Sequence, residues 1–343
     1  MDLGERRAGP PSIYDVARAA GVSPATVSRT FARPGRVRDE TAARVRAAAA
    51  ELGYRTEQAP PPTGARTRMI ALILTDIANP VYLEVIRGCE DAAARAGYVL
   101  MVANTQESPE RERVAIERAV PSVEGIVLTS SRMSDSGIRQ VAKLRSLIML
   151  NRAVQGVPSV VHDNVRGTRA AVEHLAALGH RSVTYVAGPG SSWADGVRWS
   201  TLRAVGAELG LRVRRVGPVA PTVTGGREGA RSWHTHPTTA VLAFNDLVAI
   251  GLMQAITSLG LIVPRDVSVV GFDNANISSL VTPSLTSIAS PLHALGETAV
   301  RNVLAIAGGA RWTGHPVVLP MRLVERGSTA AAAASRLSPQ TRT

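Results

Sequence analysis

The stretch SIYDVARAAGVSPATVSRTF, residues 12–31, decides the fold of the N-terminal part of the chain. Its first residue, Ser12, is followed three positions later by Asp15, which is the pattern of a helix N-cap with an acidic residue in the first turn. A second helix start follows at Ser23, because Pro24 suits the first helical position, where its missing N–H costs nothing. The stretch therefore predicts two short helices in succession.

The connection between these helices has the spacing of a helix-turn-helix. Ala17 is small enough for the helices to approach, Gly21 can take the positive φ of a tight turn, and Val27 is a β-branched residue that packs the second helix. A third helix is predicted over residues 39–53, which begin with acidic residues and end with glycine. A small three-helix domain that binds another protein is the alternative interpretation of this pattern.

A helix-turn-helix places its second helix in the DNA major groove, with the N-terminal side chains at the base edges. Arg29 on this helix can pair bidentately with guanine O6 and N7, which gives ~1–3 kcal/mol of discrimination. Ala25 can contact only a thymine methyl group, and Pro24 offers still less chemistry. Four hydroxyl side chains near the helix starts suit phosphate oxygens: Ser12, Ser23, Thr26 and Ser28.

The charge distribution supports nucleic-acid contact at the N-terminus. The chain of 343 residues has a formal net charge of +12, with a single lysine, Lys143, against 38 arginines. Residues 1–68 contain 12 arginines and 7 acidic residues, a net charge of +5, and the other 275 residues have a net charge of +7. The charge per residue is therefore about threefold higher in the first 68 residues, as expected for a segment that contacts a polyanion.

The composition bounds the class of protein. An apolar content of 45% is sufficient for packed interiors, and a chain of this length suits two or three domains. No stretch approaches ~20 uninterrupted apolar residues, and the N-terminus lacks the apolar segment of a secretory signal, so we expect neither a membrane span nor export. A single cysteine, Cys89, excludes an internal disulfide and favours the reducing cytoplasm.

From residue 69 onward, short apolar runs alternate with amphipathic helical segments. Runs such as MIALIL and VSVVGF are typical of parallel strands covered by helices on both sides of a sheet. About 260 residues of this pattern exceed what one small sheet needs, so we predict a bilobed α/β core with two parallel doubly wound sheets. The predicted strands cover residues 69–74, 98–103, 125–130, 146–150, 182–188, 240–244 and 267–272.

Polar side chains follow several of these strands, at the edge where ligands bind in open α/β lobes. Carboxylates and amides accept hydrogen bonds from hydroxyls, an arginine grips vicinal oxygens, and an indole can stack on the apolar face of a sugar. The pattern therefore indicates a sugar or polyol site. Its candidate residues are Asp76, Asn79, Tyr82, Asn151, Trp193, Arg198, Asn245 and Asp273. A structural interpretation stays open for Trp193 as a core residue, and for Asn245 and Asp246 as caps of the following helix.

Segments along most of the chain resemble the lac-repressor (LacI/GalR) family. The resemblance begins in IYDVARAAGVSPATVSRTF, continues in IALILTDIANPVYLEVIRGCEDAAARAGY and VVHDNVRGTRAAVEHLAALGHRSVTYVAGP, and ends near LTSIASP. It spans about residues 12–328, with the segments in the family's order. It implies a core similar to periplasmic sugar-binding proteins, a homodimer that binds a pseudo-palindromic operator, and control by a small effector.

The resemblance also assigns roles to residues. Base readout would fall on Pro24, Ala25 and Arg29, and phosphate contacts on the four hydroxyl residues near the helix starts. For effector binding it favours four residues most: Asn151, Arg198, Asn245 and Asp273. Asn151 stands where family members often have an aspartate, which changes one carboxylate–hydroxyl contact.

The stretch TEQAPPPTGARTR, residues 56–68, departs from the family. Family members commonly fold this link into a short hinge helix on operator DNA and wedge one of its leucines into the minor groove. The three consecutive prolines at 60–62 cannot continue a helix, and no leucine occurs between Leu52 and Leu72. The hinge helix and its wedge are therefore predicted to be missing.

The predicted organisation has five parts. They are a disordered N-terminus (residues 1–11), a helix-turn-helix DNA-binding head (12–56), a Pro-rich linker (57–68), a bilobed effector-binding and dimerisation core (69–328) and a disordered tail (329–343).

These features together predict a sequence-specific DNA-binding transcriptional regulator, a repressor, controlled by a sugar or related polyol in the inter-lobe cleft. A periplasmic-type solute-binding protein or sensor without operator binding is the alternative. An enzyme is disfavoured because the sequence lacks a G-x-S-x-G elbow, a P-loop and CxxC or HExxH metal motifs. We expect no catalytic residues, cofactor or metal site. The expected partners are double-stranded DNA, the effector and a second copy of the chain, without a membrane.

Overall fold

A computed structural model describes residues 11–32, 35–54 and 67–332. The chain divides into two compact units, with the boundary between Arg66 and Thr67. The predicted disordered N-terminus up to residue 10, the three consecutive prolines with the predicted loss of the hinge helix, and the tail beyond residue 332 lie outside the described residues. Both units follow the predicted fold class, an all-α head and an α/β core.

The first unit contains three helices, α1 (Ile13–Ala20), α2 (Pro24–Ala32) and α3 (Asp39–Glu51). The backbone N–H of Ser12 donates to the Asp15 carboxylate at 2.9 Å, so the predicted N-cap pattern begins α1. Gly21 ends α1 with φ +64, the left-handed conformation that glycine takes without strain. The small core between the three helices contains Val16, Ala17, Ala20, Val27, Val45, Ala48 and Ala49.

The second unit is built from two six-stranded sheets, and each sheet forms one lobe. In the first lobe the strand order is β11-β5-β4-β3-β1-β2, and in the second it is β12-β10-β9-β8-β6-β7. All described strand pairs are parallel except the β10–β12 pair. The strands are β1 (Met69–Leu74), β2 (Val99–Asn104), β3 (Gly125–Thr129), β4 (Ser146–Leu150), β5 (Ser159–His162), β6 (Ser182–Val186), β7 (Arg212–Val216), β8 (Ala240–Ala243), β9 (Ser268–Asp273), β10 (Thr286–Ala289), β11 (Val317–Leu319) and β12 (Arg322–Val324).

Helices cover the sheets in the alternating pattern that the sequence predicts. Those of the first lobe are α4 (Val81–Arg95), α5 (Pro109–Ala119), α6 (Asp135–Leu144) and α11 (Leu292–Ala307). Those of the second lobe are α7 (Asn164–Ala177), α8 (Trp193–Glu208), α9 (Val223–His234) and α10 (Asp246–Ser258), followed by one short 3₁₀ turn, Asn276–Ser279. The chain passes between the lobes after β5, after β10 and after β11, so neither lobe is a continuous stretch of sequence.

The predicted strands are all present, each within two residues of the predicted bounds. The central strands of each sheet, such as β1, β3 and β9, are buried along most of their length. Burial on both faces explains why their sequences are continuous apolar runs. Edge strand β2 is only partly buried, although its sequence VLMVAN is as apolar as those of the central strands. An apolar run therefore predicts a strand but does not show whether the strand lies at the edge or in the centre of its sheet.

Two predicted boundaries of the core are wrong by a few residues. The tail was expected to be disordered from residue 329, but the N–H of Ala332 donates to the Leu178 carbonyl at 2.8 Å, and the N–H of Ala330 donates to the Ser268 hydroxyl at 3.1 Å. At the other end, Arg68 was placed in the linker, but its carbonyl accepts from the Val99 N–H at 2.8 Å. Backbone hydrogen bonds that sequence patterns do not show extend the core at both ends.

Helices α4 and α11 pack in unusually close contact in the first lobe. A Cβ atom added at Gly296 on α11 would lie 2.2 Å from the carbonyl oxygen of Val85 on α4, and one added at Gly88 would lie 2.0 Å from the carbonyl oxygen of His293. Both glycines therefore let two helix backbones touch directly. The packing of α11 on α4 joins residues 200 positions apart in sequence and closes the first lobe.

Replacing Gly296 by alanine should lower the free energy of unfolding by about 2–3 kcal/mol, because the added methyl group must push two helix backbones apart. Gly196 on α8 is the matched control, since a Cβ atom there meets nothing within 4 Å. Its replacement by alanine should raise stability by about 0.5–1 kcal/mol through helix propensity. Urea unfolding of the two variants measures both changes, and equal effects would contradict the close-packing explanation.

Candidate functional site

The second helix of the head presents most of the predicted DNA-contacting side chains at its surface. Ser23, Ala25, Ser28 and Arg29 are exposed, whereas Pro24 and Thr26 are partly buried and Ser12 is exposed at the start of α1. The Ser23 hydroxyl accepts from the Thr26 N–H at 3.2 Å, so it caps α2, and the two hydroxyl groups lie 2.9 Å apart. The hydroxyls of Ser23 and Thr26 therefore lie at the helix start, where the sequence predicts phosphate contacts, and the Ser23 hydroxyl also caps the helix.

Arg29 lies on the same helix with an exposed guanidinium group. Its Nε donates to the Ala25 carbonyl oxygen at 3.1 Å, which leaves the terminal N–H groups of the fork directed away from that contact. An arginine held in this way by its own helix retains the geometry for a bidentate contact with a planar acceptor pair. Tyr14 near the start of α1 is 66% exposed, and the sequence patterns give no reason to single it out.

In the second unit, a cleft lies between the carboxyl ends of the two sheets. Six of the eight predicted effector-binding residues line it: Asn79, Tyr82, Asn151, Arg198, Asn245 and Asp273. In open α/β lobes ligands bind at the carboxyl ends of the strands, which we call the strand-end rule. Residues chosen by this rule lie together in the cleft although they are up to 194 positions apart in sequence. Further lining residues, which the sequence reasoning passed over, include Glu107, Ser130, Arg132, His162, Ser192 and Phe244.

Two predicted residues do not line the cleft. Asp76 instead accepts a hydrogen bond from the Ala78 N–H at 3.0 Å, within the turn that follows β1. Trp193 is the first residue of α8, where Ala194 and Arg198 do line the cleft. Those two residues are four positions apart and share a helix face, whereas Trp193 is rotated by about 100° from Ala194.

Arg198 is almost completely buried in the wall of the cleft, with only 2% of its surface exposed. Its Nε donates to Asn164 Oδ1 at 2.9 Å, and one terminal nitrogen donates to the Phe244 carbonyl at 2.5 Å. The other terminal nitrogen lies 3.8 Å from Asp273 Oδ1. The guanidinium also lies 4.0 Å from the centroid of the Phe272 ring. Arg198 is thus fixed by several groups of the protein and presents its remaining edge to the cleft.

A buried carboxylate network lies behind Asp273. Asp246 accepts from the N–H of Ala275 at 2.8 Å and from the hydroxyls of Ser278 and Ser287 at 2.6 Å each. Burial, together with the neighbouring Asp273, raises the pKa of Asp246 to about 7. Burial likewise raises the pKa of Asp273, although the charge of Arg198 opposes this shift.

Asn245 caps α10, because its side-chain oxygen accepts from the Val248 N–H at 2.9 Å. The sequence allows either Asn245 or Asp246 to cap this helix, and in the structure the cap is Asn245. Asn245 also lines the cleft. Asp246, by contrast, ties α10 to the segments around β9 and β10 through the network above.

The wall formed by the first lobe includes three adjacent strand ends as well as residues of α4 and α11. Ser130, Asn151 and His162 follow or end β3, β4 and β5, and the Asn151 Nδ2 donates to the Ser130 hydroxyl at 3.2 Å. Ser130 and Asn151 have φ angles of +42 and +56, so both backbones are left-handed at the cleft. Asn151 Oδ1 and His162 Nδ1 are buried and have no hydrogen-bond partner within the described residues.

His162 remains uncharged in this wall. Burial, with a smaller contribution from the positive charge of Arg198, lowers the pKa of His162 to about 3. The ring therefore carries one N–H donor and one acceptor nitrogen at neutral pH. The sequence alone placed no ligand-binding role on this histidine, because nothing in the pattern VVHDN distinguishes a cleft residue from a core residue.

The mouth of the cleft carries an ion pair that the sequence did not predict. Arg132 Nε lies 2.5 Å from Glu107 Oε2, and the backbone N–H of Arg132 donates to Glu112 Oε2 at 3.0 Å. Glu107 follows β2 and Arg132 follows β3, so the strand-end rule that found Asn151 could also have pointed to both. Across the described residues, no group of three or more His, Cys, Asp or Glu side chains is arranged to hold a metal ion.

Two different protein-family models match the two units of the chain. Residues 12–57 match the model for bacterial regulatory proteins of the lacI family, and residues 172–329 match the periplasmic binding protein-like domain. The HTH-type transcriptional regulator DegA of Bacillus subtilis is 32% identical over 329 residues, which cover 93% of this chain and 98% of that protein.

Solved structures show the same likeness. The lac repressor dimer bound to operator and the anti-inducer ONPF matches with a TM-score of 0.71 and 29% identity, over 94% of this chain and all of that chain. A LacI family regulator from Enterococcus faecalis with bound ribose matches with a TM-score of 0.70 and 29% identity, over 77% of this chain and 99% of that chain. None of the described helices is both long and apolar enough to cross a membrane.

Replacing His162 by glutamine should make the protein more resistant to acid. Because the pKa of His162 is about 3 in the folded protein and about 6.5 in an unfolded chain, only the unfolded state gains this proton between those values. Folding stability is therefore lost as the pH falls below about 6.5, by about 2 kcal/mol at pH 5. Urea unfolding at pH 7 and pH 5 should show that the variant loses about 2 kcal/mol less than the parent over this interval, because the other titrating groups are unchanged; equal losses would contradict the burial of a neutral imidazole.

Proposed function

The chain belongs to the lacI family of bacterial regulatory proteins, and on this premise we propose that it is a sequence-specific transcriptional repressor controlled by a small effector. It acts in the cytoplasm as a homodimer on a pseudo-palindromic operator in double-stranded DNA. The effector is a sugar or related polyol bound in the cleft between the two lobes. The protein performs no catalysis and requires no cofactor or metal.

The observation that carries this proposal is the joining of two different binding surfaces in one chain. The head presents Arg29 and the exposed hydroxyls of α2, and the core presents a polar cleft at the carboxyl ends of two sheets. A regulator needs both surfaces, whereas a solute-binding protein needs only the second. The relatives support the same division, since one matching structure contains operator DNA and another contains ribose.

The cleft residues suit a switch because they come from both lobes. Asn151 and His162 belong to the first lobe, and Arg198, Asn245 and Asp273 belong to the second. A ligand that contacts both walls favours one relative orientation of the lobes, which three chain crossings connect. In the dimer, this rotation changes the spacing or order of the two heads and so the affinity for two successive half-sites.

A mobility-shift assay with the DNA upstream of the protein's own gene tests the proposal. The expected result is a specific complex whose affinity changes when the effector is added. If no complex forms with or without candidate effectors, the chain is a solute-binding protein or sensor and the regulator proposal is wrong. Sedimentation of the free protein checks the homodimer independently.

Replacing Arg29 by alanine should reduce discrimination between the operator and a site with one altered half-site base pair by about 5- to 150-fold, corresponding to the loss of one bidentate base contact. Arg46 on α3 is the matched control: it is exposed and has the same charge, but lies outside the helix proposed to read bases. Replacing Arg46 by alanine should weaken binding to all DNA sequences alike and lower the salt dependence of that binding. Unchanged discrimination in the Arg29→Ala variant would show that another residue reads the operator.

The Pro-rich linker should make the complex less bent than in relatives that form a hinge helix. With three prolines across the expected helix and no leucine to insert, the duplex is not kinked at its centre by this segment. Circular-permutation bending assays on the operator complex should therefore show a shallow bend. A sharp central kink would mean that the linker supplies a wedge of another kind.

A further inference from the structure

The sheet of the first lobe has an edge opposite to the cleft. All its strand pairs are parallel, so the carboxyl ends of its six strands lie together at the cleft and their amino ends form the other edge. The chain enters the core at this amino edge, because Thr67 and Arg68 directly precede β1. We call the surface formed there the linker edge; it consists of residues 67–68, 96–98, 118–124, 143–145 and 308–316.

Five basic side chains are exposed on the linker edge, and none of them has a carboxylate partner among the described residues. They are Arg68, Arg118, Lys143, Arg145 and Arg311. Several arginines elsewhere in the first lobe are, by contrast, paired with an acidic side chain at 2.5–2.9 Å. These are Arg87, Arg95, Arg113, Arg132 and Arg152. Ion pairs within the described protein therefore leave the positive charge of the linker edge in place.

Acidic side chains do not compensate this charge. The residues of the linker edge include five basic side chains and one acid, Glu124, which gives them a net charge of +4 with histidine neutral. The Glu124 carboxylate accepts from the backbone N–H of Arg68 at 2.9 Å and from the Tyr98 hydroxyl at 2.8 Å, so both of its oxygens are used within the core. The linker edge thus presents a local excess of positive charge, which favours contact with a polyanion.

Helix dipoles explain only part of this charge. Arg118 and Lys143 lie in the last turns of α5 and α6, where the helix dipole favours a cation without any other partner. Arg68 and Arg311 lie outside the helices, so the dipole does not account for them. Arg145 follows α6, and its Nε donates to the Val120 carbonyl at 2.8 Å. This contact uses only Nε, so the terminal nitrogens of Arg145 remain available to another acceptor.

We propose that the linker edge is a second DNA-contacting surface, whose basic side chains bind backbone phosphates of a duplex without reading its bases. Neighbouring strands lie about 4.8 Å apart, so the six amino ends extend over roughly 24 Å, the length of about seven base pairs. Arginine and lysine contacts with phosphates position a protein on DNA but carry no sequence information. The linker edge therefore adds affinity that depends on salt, while α2 of the head reads the bases.

The inference rests on the proposed function, because the head must first hold the duplex. The residues that join the head to the core enter the core at the linker edge. A duplex bound by the head is therefore tethered at this edge, and the second contact becomes intramolecular, which raises its effective concentration. Contacts too weak to bind free DNA can then contribute to the complex.

The chain offers a direct probe of this contact, because Lys143 is its only lysine. The full chain is treated with an amine-acetylating reagent, with and without a saturating random-sequence duplex, and acetylation of Lys143 is measured by peptide mass spectrometry. DNA should slow this acetylation severalfold, because a phosphate paired with the ammonium group covers it and holds its proton. Equal rates with and without DNA overturn the inference.

A variant in which the lysine is moved is the matched control. Lys143→Arg combined with Arg212→Lys keeps the total charge and places the one lysine at an exposed position of β7, an edge strand of the second lobe. DNA should leave the acetylation rate of this lysine unchanged. Equal protection in the parent and in this variant would show that DNA covers the core without preference for the linker edge, which contradicts the inference.

Removing the charges tests their contribution to affinity. The combined variant Arg118→Gln, Lys143→Gln and Arg311→Gln should make the slope of log K against log salt concentration shallower by about 2–3, because each phosphate contact contributes about 0.9. Discrimination between the operator and a site with an altered base pair should stay as in the parent, because phosphates carry no sequence information. A variant that keeps the parent slope shows that these side chains do not contact DNA.

The matched control for the charge removal lies in the second lobe. Arg181, Arg203 and Arg212 are exposed there and have no carboxylate partner among the described residues. Replacing these three arginines by glutamine makes the same change in total charge and should leave the salt slope unaltered. Equal changes of slope in the two combined variants would reduce the effect to net charge and reject the linker edge as a specific surface.

The outcomes separate this inference from the proposed function. A complex with DNA that forms without protecting Lys143 rejects the linker edge as a DNA contact and retains the regulator. Failure of every duplex to bind rejects both. Because the acetylation experiment uses the unaltered chain, its result does not depend on the folding of any variant.

Discussion

The buried guanidinium group of Arg198 is the interaction on which the cleft depends. A charge with 2% exposure is tolerated only if the protein pairs it and satisfies its N–H groups. Asn164, the Phe244 carbonyl and Asp273 meet this demand from three different segments: the crossing after β5 and the ends of β8 and β9. One side chain on α8 thus sets the positions of the strand ends that form a wall of the cleft, and its charge contributes to keeping His162 neutral.

Much of the architecture follows from sequence because its signals are local. Ser12 and Asp15 predict the start of the first helix, and Gly21 predicts the turn, because capping and positive φ depend on only a few consecutive residues. The central strands were equally visible because burial on both faces leaves only apolar residues in them. The sequence does not predict β7, which has three arginines among its five residues, or β12, which has only three residues. It also does not predict the buried strands β5 and β10, each of which has four residues.

The sequence predicts only those residues of the candidate site that follow the ends of strands. Asn151, Asn245 and Asp273 follow strand ends and line the cleft, whereas Trp193 does not line it, because strand ends do not account for the helical rotation that brings Ala194 and Arg198 to the cleft. The pairing of Glu107 with Arg132 depends on how two loops fold, and both loops contain left-handed residues. Contacts between loops leave no periodic trace in the sequence.

The left-handed backbone at Ser130, Asn151 and Asp273 constrains how this protein can change its ligand. Long or β-branched side chains are strongly disfavoured at such φ values, and short polar residues and glycine are tolerated. Sequence drift at these three positions is therefore biased toward short polar residues and glycine, although Glu107 shows that this cleft accommodates a longer side chain at φ +61. Ser130 and Asn151 lie in loops, whereas Asp273 ends β9. Descendants of this chain would gain new effector preferences mainly through residues with ordinary backbone angles, such as His162 and Phe244, so the evolutionary routes to a new ligand class run through only part of the cleft.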